Sequence, residues 1–156
     1  MGKQALKSDI HPTDFERRQF LQGSLGLTGV VPLCCRTPEI PPGSASYLGK
    51  TLLIDLERAP ELGRVGSAAA FVDTARKLDL IVAHIGRNDF AVLDRSCTHN
   101  GAQCTYNHRR LTVQCTSLNH AEYDLRGTLL HGRTHGNLRT YAARCHGRSL
   151  EIRLGA

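Results

Sequence analysis

Two short segments of this chain each carry a cysteine followed closely by a histidine. One residue separates Cys97 from His99, and four residues separate Cys115 from His120. Thiolate and imidazole groups bind soft and borderline metal ions well, so two such pairs predict a metal site built from two loops. The stem between the pairs, TYNHRRLTVQ, predicts a β-hairpin with its turn near residues 107–109, which would bring the two loops side by side.

These four side chains suit two kinds of metal centre. A mixed [2Fe–2S] cluster takes two cysteines on one iron and two histidines on the other, and the neutral imidazoles raise its reduction potential. A structural zinc ion takes four ligands of the same types in a tetrahedral Cys2His2 set. Zinc modules are more often built on closely spaced cysteine pairs, and a Cys-x-His pair is unusual for them. The residues therefore favour the cluster and leave a zinc-stabilised binding module without redox activity as the alternative.

The residues around the two pairs resemble the Rieske iron–sulfur family over about residues 47–156. The sequence CTHNG at 97–101 matches the family's first ligand loop. The sequence EYDLRG at 122–127 resembles the aromatic-Asp-x-x-Gly run that follows the family's second loop. The closing sequence LRTYAARCHGRSLEIRL resembles the family's last pair of strands.

This resemblance implies an all-β fold, a Rieske-type antiparallel β-sandwich with a small cluster-binding subdomain at one end. It also implies a [2Fe–2S] cofactor held by Cys97, His99, Cys115 and His120. In family members of high potential, a tyrosine after the second loop donates a hydrogen bond to the cluster. Tyr123 is the matching residue here.

The second loop departs from the family pattern. The usual spacing is Cys-x-x-His-Gly, whereas here Leu118 stands at the histidine position and Ala121 follows the later His120. Respiratory members also carry a disulfide over the cluster, and Ala102 and Ser117 stand at its two positions. We expect the cluster type to be unchanged and its potential to lie below that of quinol-oxidising members.

Short apolar runs bounded by turn residues predict an antiparallel all-β domain from Tyr47 onward. The sequence GRND at 86–89 predicts a tight hairpin turn. The alanine-rich segment at 67–74 alternates small and bulky side chains, which favours a strand there. The other predicted strands are KTLLIDL, DLIVAHIG, FAVLDRS, RLTVQ, LRTYAA and SLEIRL.

The first 46 residues predict an export signal followed by a linker. Arg17 and Arg18 precede a charge-free stretch at 19–35, which resembles a twin-arginine signal. The sequence RTPEIPPGSAS at 36–46 predicts an extended proline-rich linker. We expect export across the cytoplasmic membrane, to the periplasm or to the outer face of the membrane with the signal kept as an anchor. Residues 47–156 would then form the [2Fe–2S] domain.

The expected function is one-electron transfer, as a carrier or as a redox subunit of an exported or respiratory oxidoreductase complex. The expected partner is a redox protein, either a cytochrome or an oxidoreductase subunit. An oxygenase would need a second domain for a mononuclear iron, for which a chain of 156 residues leaves no room. No nucleophile paired with a base is visible, so the chain alone is not expected to catalyse a reaction. A net charge of +6 without an aromatic-interleaved basic block gives no support to nucleic-acid binding.

Two further cysteines of the domain, Cys104 and Cys145, could form a disulfide in an oxidising compartment. Such a pair needs a Cα separation of about 4.4–6.8 Å, which the fold must supply.

Overall fold

The computed structural model of the chain describes residues 36–118 and 120–155. These residues form twelve β-strands in three four-stranded sheets, in which neighbouring strands run antiparallel. The helical element in this part of the chain is one 3₁₀ turn at Pro60–Leu62. The predicted all-β class is confirmed.

The first sheet joins the two ends of the described domain. Its strands, in the order in which they pair, are β1 (Ala45–Leu48), β2 (Thr51–Asp55), β12 (Ser149–Arg153) and β11 (Ala143–His146). Leu52 and Ile54 of β2 are buried and alternate with half-buried neighbours, as do Leu150 and Ile152 of β12. This alternation buries one face of the sheet and leaves the other facing solvent.

The second sheet contains the longest strand of the domain. Its strands pair in the order β10 (Thr140–Tyr141), β5 (Asp89–Asp94), β4 (Leu78–Gly86) and β3 (Ala68–Asp73). Arg87 and Asn88 connect β4 to β5 at the predicted tight turn. The alanine-rich segment is a strand, as predicted, because β3 pairs with β4 along its whole length.

The third sheet carries the cysteines of interest. Its strands pair in the order β6 (Cys104–Asn107), β7 (Thr112–Cys115), β8 (Glu122–Tyr123) and β9 (Leu129–His131). Strands β6 and β7 form the predicted hairpin, closed by a hydrogen bond from the Leu111 N–H to the Asn107 carbonyl at 2.8 Å. The two Cys–His segments lie at the opposite end of this hairpin.

Strand β4 explains how the three sheets stack. Leu80 and Val82 belong to the hydrophobic core shared with the first sheet, whereas Ile81 and Ala83 belong to the core shared with the third sheet. Successive side chains of a strand point to opposite faces, so a strand that is apolar at every position can be buried on both. The second sheet is therefore the middle layer of the domain.

The segment predicted as the single strand LRTYAA is divided between two sheets. Thr140 and Tyr141 pair with β5 in the second sheet, whereas Ala143 begins β11 in the first sheet. Between them, the Ala142 carbonyl accepts a hydrogen bond from the Arg153 N–H at 2.9 Å. The chain changes sheets here without losing its strand-like pattern, which is why the sequence predicted one strand.

The stretch predicted as an extended linker packs against the domain. Ile40 is buried, and its N–H donates to the Ala70 carbonyl of β3 at 2.8 Å. The Ala70 N–H donates in turn to the Pro38 carbonyl at 2.7 Å. Thr37 is also buried, and its hydroxyl oxygen accepts the Tyr106 N–H at 2.8 Å. The packed domain therefore includes residues that precede Tyr47, because they complete the hydrogen bonding of β3 and β6.

Among the residues that the structure describes, no helix has both the length and the apolar character needed to cross a membrane. The predicted signal at Arg17 and Arg18 lies outside the described residues.

Candidate metal centre

Three cysteine thiols meet at the end of the third sheet. The sulfur atoms of Cys97, Cys104 and Cys115 lie within 4.8 Å of one another, and all three residues are buried. Cys97 follows β5, Cys104 begins β6 and Cys115 ends β7. Two of the predicted ligands are thus adjacent in space, and Cys104 is a third thiol that was not among the predicted ligands.

The first Cys–His loop is closed by its own backbone. The Cys97 N–H donates to the Ala102 carbonyl, and the Gly101 N–H donates to the Cys97 carbonyl, both at 2.8 Å. Gly101 adopts a φ of +72°, which residues with a side chain rarely take, so this glycine allows the chain to turn back. The Ala102 N–H also donates to Asn100 Oδ1 at 3.0 Å. The loop therefore holds Cys97 in one position.

His99 connects the two ligand loops. Its Nδ1 atom lies 2.8 Å from Cys97 Sγ, and its Nε2 atom lies 3.0 Å from Ser117 Oγ. Ser117 Oγ lies in turn 3.1 Å from Cys115 Sγ. The His99 ring is thus hydrogen-bonded directly to the Cys97 thiol. Through the Ser117 hydroxyl, it is also linked to the Cys115 thiol.

The second Cys–His loop is held to the first at its beginning. The Thr116 N–H and hydroxyl both donate to the Gln103 carbonyl, at 3.0 Å and 2.8 Å. Further along, the His120 N–H donates to the Ser117 carbonyl at 3.0 Å, and His120 adopts a φ of +44°. A histidine in this left-handed conformation is uncommon and marks a tight turn.

His120 lies on the surface of this loop. Its side chain is exposed, and it is not part of the group of mutually close metal-binding atoms in the described residues. Leu118, at the spacing where the family places its histidine, is 93% exposed. The structure therefore brings together Cys97, His99 and Cys115 of the four predicted ligands, and it leaves His120 apart from them.

Tyr123 contacts the Cys97 thiol from inside the core. It is fully buried, and its hydroxyl lies 3.3 Å from Cys97 Sγ and 3.3 Å from Thr98 Oγ1. The Thr98 hydroxyl donates to the Gly136 carbonyl at 3.1 Å. Burial, followed by the hydrogen bond with Cys97, raises the pKa of Tyr123, so its hydroxyl stays protonated and can donate.

The local electrostatics distinguish two of the thiols. Burial alone would raise the pKa of Cys97, but hydrogen bonds from the His99 backbone, the Tyr123 hydroxyl and the His99 ring bring this pKa down to about 7. Burial raises the pKa of Cys104 well above its usual range, and the charges of Cys97 and Cys115 raise it further. Because the thiolate is the metal-binding form, Cys97 is better prepared for a metal than Cys104.

A third loop, between β9 and β10, covers the second ligand loop. A side chain on Gly132 would place its Cβ 2.7 Å from Ala121 Cα, so the backbones pass closely here. Gly132 has a φ of +98°. The Gly136 carbonyl at the other end of the loop holds Thr98. Only glycine fits at position 132, since Ala121 occupies the space that a side chain would need.

Arg95 positions Cys104 from the buried side. Its guanidinium Nε–H donates to the Cys104 carbonyl at 3.1 Å, and its Nη1 atom forms an ion pair with Asp79 Oδ1 at 3.3 Å. The Cys104 N–H donates to the Arg95 carbonyl at 2.7 Å. The sequence analysis predicted this hairpin without a register, so it did not single out Cys104; the observed register places Cys104 opposite Cys115.

Cys145 lies away from this centre. It packs beside the core of the first sheet, whereas Cys104 belongs to the core of the third sheet, and both thiols are free. The pairing of Cys104 with Cys145 that the sequence left open is therefore not formed.

These residues fit the cysteine half of a mixed [2Fe–2S] centre. Such a centre needs two close thiolates on one iron, and Cys97 and Cys115 provide adjacent buried sulfurs. His99 supplies an imidazole nitrogen beside them. The group of mutually close metal-binding atoms in the described residues consists of the three cysteines; His99 joins it through its contact with Cys97 Sγ, and His120 is exposed.

A ferredoxin and a Rieske protein are among the solved structures that resemble that of this chain. The ferredoxin of carbazole 1,9a-dioxygenase from Nocardioides aromaticivorans IC177 is 18% identical, with a TM-score of 0.50 over 64% of this chain and 92% of that one. The plasma membrane Rieske protein PetC3 from Synechocystis PCC 6803 is 26% identical, with a TM-score of 0.45 over 49% of this chain and 77% of that one. No family model and no curated protein matches the sequence.

The fold is thus one that a ferredoxin also adopts. The chain resembles Rieske iron–sulfur proteins in its first ligand loop, in the run EYDLRG after the second loop and in its all-β fold. Proteins of that family carry [2Fe–2S] clusters with mixed cysteine and histidine ligation.

Proposed function

We propose that this chain transfers single electrons through a [2Fe–2S] cluster held by Cys97, His99, Cys115 and His120. The observation that carries the proposal is the convergence of Cys97 and Cys115 from two loops, with His99 hydrogen-bonded directly to Cys97 and through Ser117 to Cys115. A bound cluster of this type accepts and returns one electron at a potential set by its surroundings.

The residues around the centre have separate tasks in this proposal. Cys97 presents a thiolate near neutral pH, and Tyr123 donates a hydrogen bond to its sulfur. Thr98 fixes the first loop to the third loop through the Gly136 carbonyl. His120 lies on an exposed loop, so it provides the side of the centre that faces a redox partner.

The three-thiol group also supports a second candidate, a structural zinc site. Zinc binds tetrahedrally to Cys3His sets as well as to Cys2His2 sets. Cys97, Cys104 and Cys115 with His99 would supply the first of these. This set differs from the zinc alternative drawn from the sequence, in which His120 took the place of Cys104.

Metal analysis separates the two candidates. Full-length protein purified anaerobically from iron-replete cells should contain about two irons and two acid-labile sulfides per chain, the composition of a [2Fe–2S] cluster. Stoichiometric zinc without sulfide would refute electron transfer and support the zinc site. Cys145→Ser protein is the matched control, because that thiol lies outside the centre and its loss should not change the metal content.

The proposed setting is outside the cytoplasm. The pair Arg17 and Arg18 supports export of the folded, cluster-loaded chain, which then works in the periplasm or on the outer face of the membrane. Its proposed partner is a cytochrome or another oxidoreductase subunit, and the chain's net charge of +6 favours an acidic docking surface on that partner.

A further inference from the structure

The proposed electron-transfer site leaves one buried thiol unused. Cys104 is fully buried, and its sulfur lies within 4.8 Å of both Cys97 Sγ and Cys115 Sγ. A mixed [2Fe–2S] cluster requires only two cysteines. The proposed ligand set therefore gives Cys104 no part in binding the cluster.

The hairpin register sets Cys104 directly opposite Cys115. Neither backbone N–H bonds across this pair, because the Cys104 N–H donates to Arg95 and the Cys115 N–H donates to Ala121. The pair is instead flanked by a bond from the Thr116 N–H to the carbonyl of the residue before Cys104. Cys104 and Cys115 thus form a non-hydrogen-bonded pair of an antiparallel ladder, with Cα atoms about 4.5 Å apart in such pairs.

That geometry suits a disulfide between the two strands. Disulfides form across Cα separations of about 4.4–6.8 Å, so the strands need no large movement. Cys97 is held differently, since its sulfur contacts the Tyr123 hydroxyl and the His99 ring. Of the three thiols, Cys104 and Cys115 are the two that the backbone aligns for bonding to each other.

We propose that Cys104 and Cys115 form a disulfide whenever the cluster is absent and an oxidant is present. The two thiols lose two electrons and two protons to hydrogen peroxide, whose O–O bond breaks to give two water molecules, while the S–S bond forms. A small dithiol or a protein dithiol reverses the step by thiol–disulfide exchange. This inference rests on the proposed function for its consequence, because the disulfide occupies Cys115 and so blocks cluster loading until it is reduced.

The disulfide can be detected without any cluster. Full-length protein is stripped of metal with a chelator under dithiol, freed of the dithiol, treated with hydrogen peroxide, alkylated and digested with trypsin. Cys97 and Cys104 share the fragment between Arg95 and Arg109, whereas Cys115 lies on the fragment that follows Arg110. We expect these two fragments to be linked before reduction and separate after it.

Substitutions identify which thiol makes the link. The link should persist in Cys97→Ser and Cys145→Ser proteins and should be lost in Cys104→Ser and Cys104→Ala proteins, in which Cys115 becomes open to alkylation. A link that is lost in Cys97→Ser and kept in the Cys104 variants would overturn the proposal. So would complete alkylation of Cys104 in peroxide-treated wild-type protein, a measurement that does not depend on any variant folding.

Cluster loading separates this inference from the proposed function. Peroxide-treated wild-type protein should take up iron and sulfide only after dithiol is added, whereas Cys104→Ser should load equally with and without that pretreatment. Equal loading of oxidised and reduced wild-type protein would contradict the proposal that the disulfide blocks cluster loading. If reduced wild-type protein forms no cluster at all, the proposed function fails, and the fragment link still reports on the disulfide.

Discussion

Tyr123 places its hydroxyl 3.3 Å from Cys97 Sγ inside the core of the third sheet. A hydrogen bond to a cluster sulfur favours the reduced, more negative state and so raises the potential. One charge-assisted bond contributes about 1.5–3 kcal/mol at most, which corresponds to roughly 65–130 mV for one electron. We expect Tyr123→Phe to lower the potential by several tens of millivolts, below that upper limit because the Tyr123 hydroxyl lies 3.3 Å from both Cys97 Sγ and Thr98 Oγ1. Protein-film voltammetry measures this shift.

Tyr106 provides the matched control for that experiment. It is buried in the same core, and its hydroxyl is a buried atom with no hydrogen-bond partner among the described residues. Tyr106→Phe should therefore leave the potential unchanged. An unchanged potential in Tyr123→Phe protein would mean that the Tyr123 hydroxyl does not bond to the loaded centre.

His120 is the predicted ligand that the structure leaves exposed, so its role needs a direct test. If it binds the second iron together with His99, His120→Ala should abolish the cluster and its visible absorption. His131 and His108 are exposed histidines of the same sheet region, and their alanine variants should keep the cluster. A stable cluster in His120→Ala protein would mean that another residue binds the iron at that position. Cys104 would be the first candidate, because its sulfur lies within 4.8 Å of those of Cys97 and Cys115.

The sequence predicted that Cys97 and Cys115 lie close together, and it did not predict that Cys104 joins them. The approach of Cys97 to Cys115 followed from a short hairpin stem, because local chain geometry dictates which loops meet. The position of Cys104 beside Cys115 depends on the register of the hairpin, which is known only once the residues of the turn are known. The position of the His120 side chain depends on a left-handed turn that spacing alone does not predict.

The loop between β9 and β10 offers a test of how tightly the site is covered. A methyl group on Gly132 would meet the backbone of Ala121, whereas one on Gly136 would meet nothing within 4 Å. Both glycines have positive φ values, so alanine strains the backbone at either position. Gly132→Ala should lower the free energy of unfolding by about 1–3 kcal/mol more than Gly136→Ala, through overpacking. Urea denaturation of both variants measures the difference, and equal losses would show that the loop moves aside freely.

At the level of strands, the sequence was informative where pairing is local. The turn at Arg87 and Asn88 and the hairpin of β6 and β7 were both predicted from neighbouring residues. The division of LRTYAA between two sheets, and the packing of Ile40 against β3, depend on partners distant in the chain. Periodicity identifies which residues are buried and does not identify the sheet that buries them.

For the whole molecule, the prediction concerns where the chain works. Changing Arg17 and Arg18 together to Lys should retain the protein in the cytoplasm, because twin-arginine signals depend on the arginine pair. The retained protein should still carry its cluster, since the ligands lie far along the chain from the pair. Cell fractionation with immunodetection measures the distribution, and iron analysis of the retained protein provides the control. Unchanged export would point to a signal of another kind.

The layered arrangement gives the whole domain one functional end. The second sheet is buried on both faces between two cores, and the three close thiols belong to the core between the second and third sheets, at one end of the third sheet. Such a scaffold keeps the thiols fixed while exposing the loop that carries Leu118 and His120. Rigid positioning is what one-electron transfer needs, because little rearrangement then accompanies the change of charge.

Electron paramagnetic resonance of the reduced, full-length protein tests the central claim most directly. A cluster ligated by two cysteines and two histidines should give a rhombic signal with a low average g-value, because the imidazoles alter the electronic structure of one iron. The account predicts this signal in wild-type protein and its loss in Cys115→Ser protein. A signal with the higher average g-value of an all-cysteine [2Fe–2S] cluster, or no signal from protein that binds zinc, would contradict it.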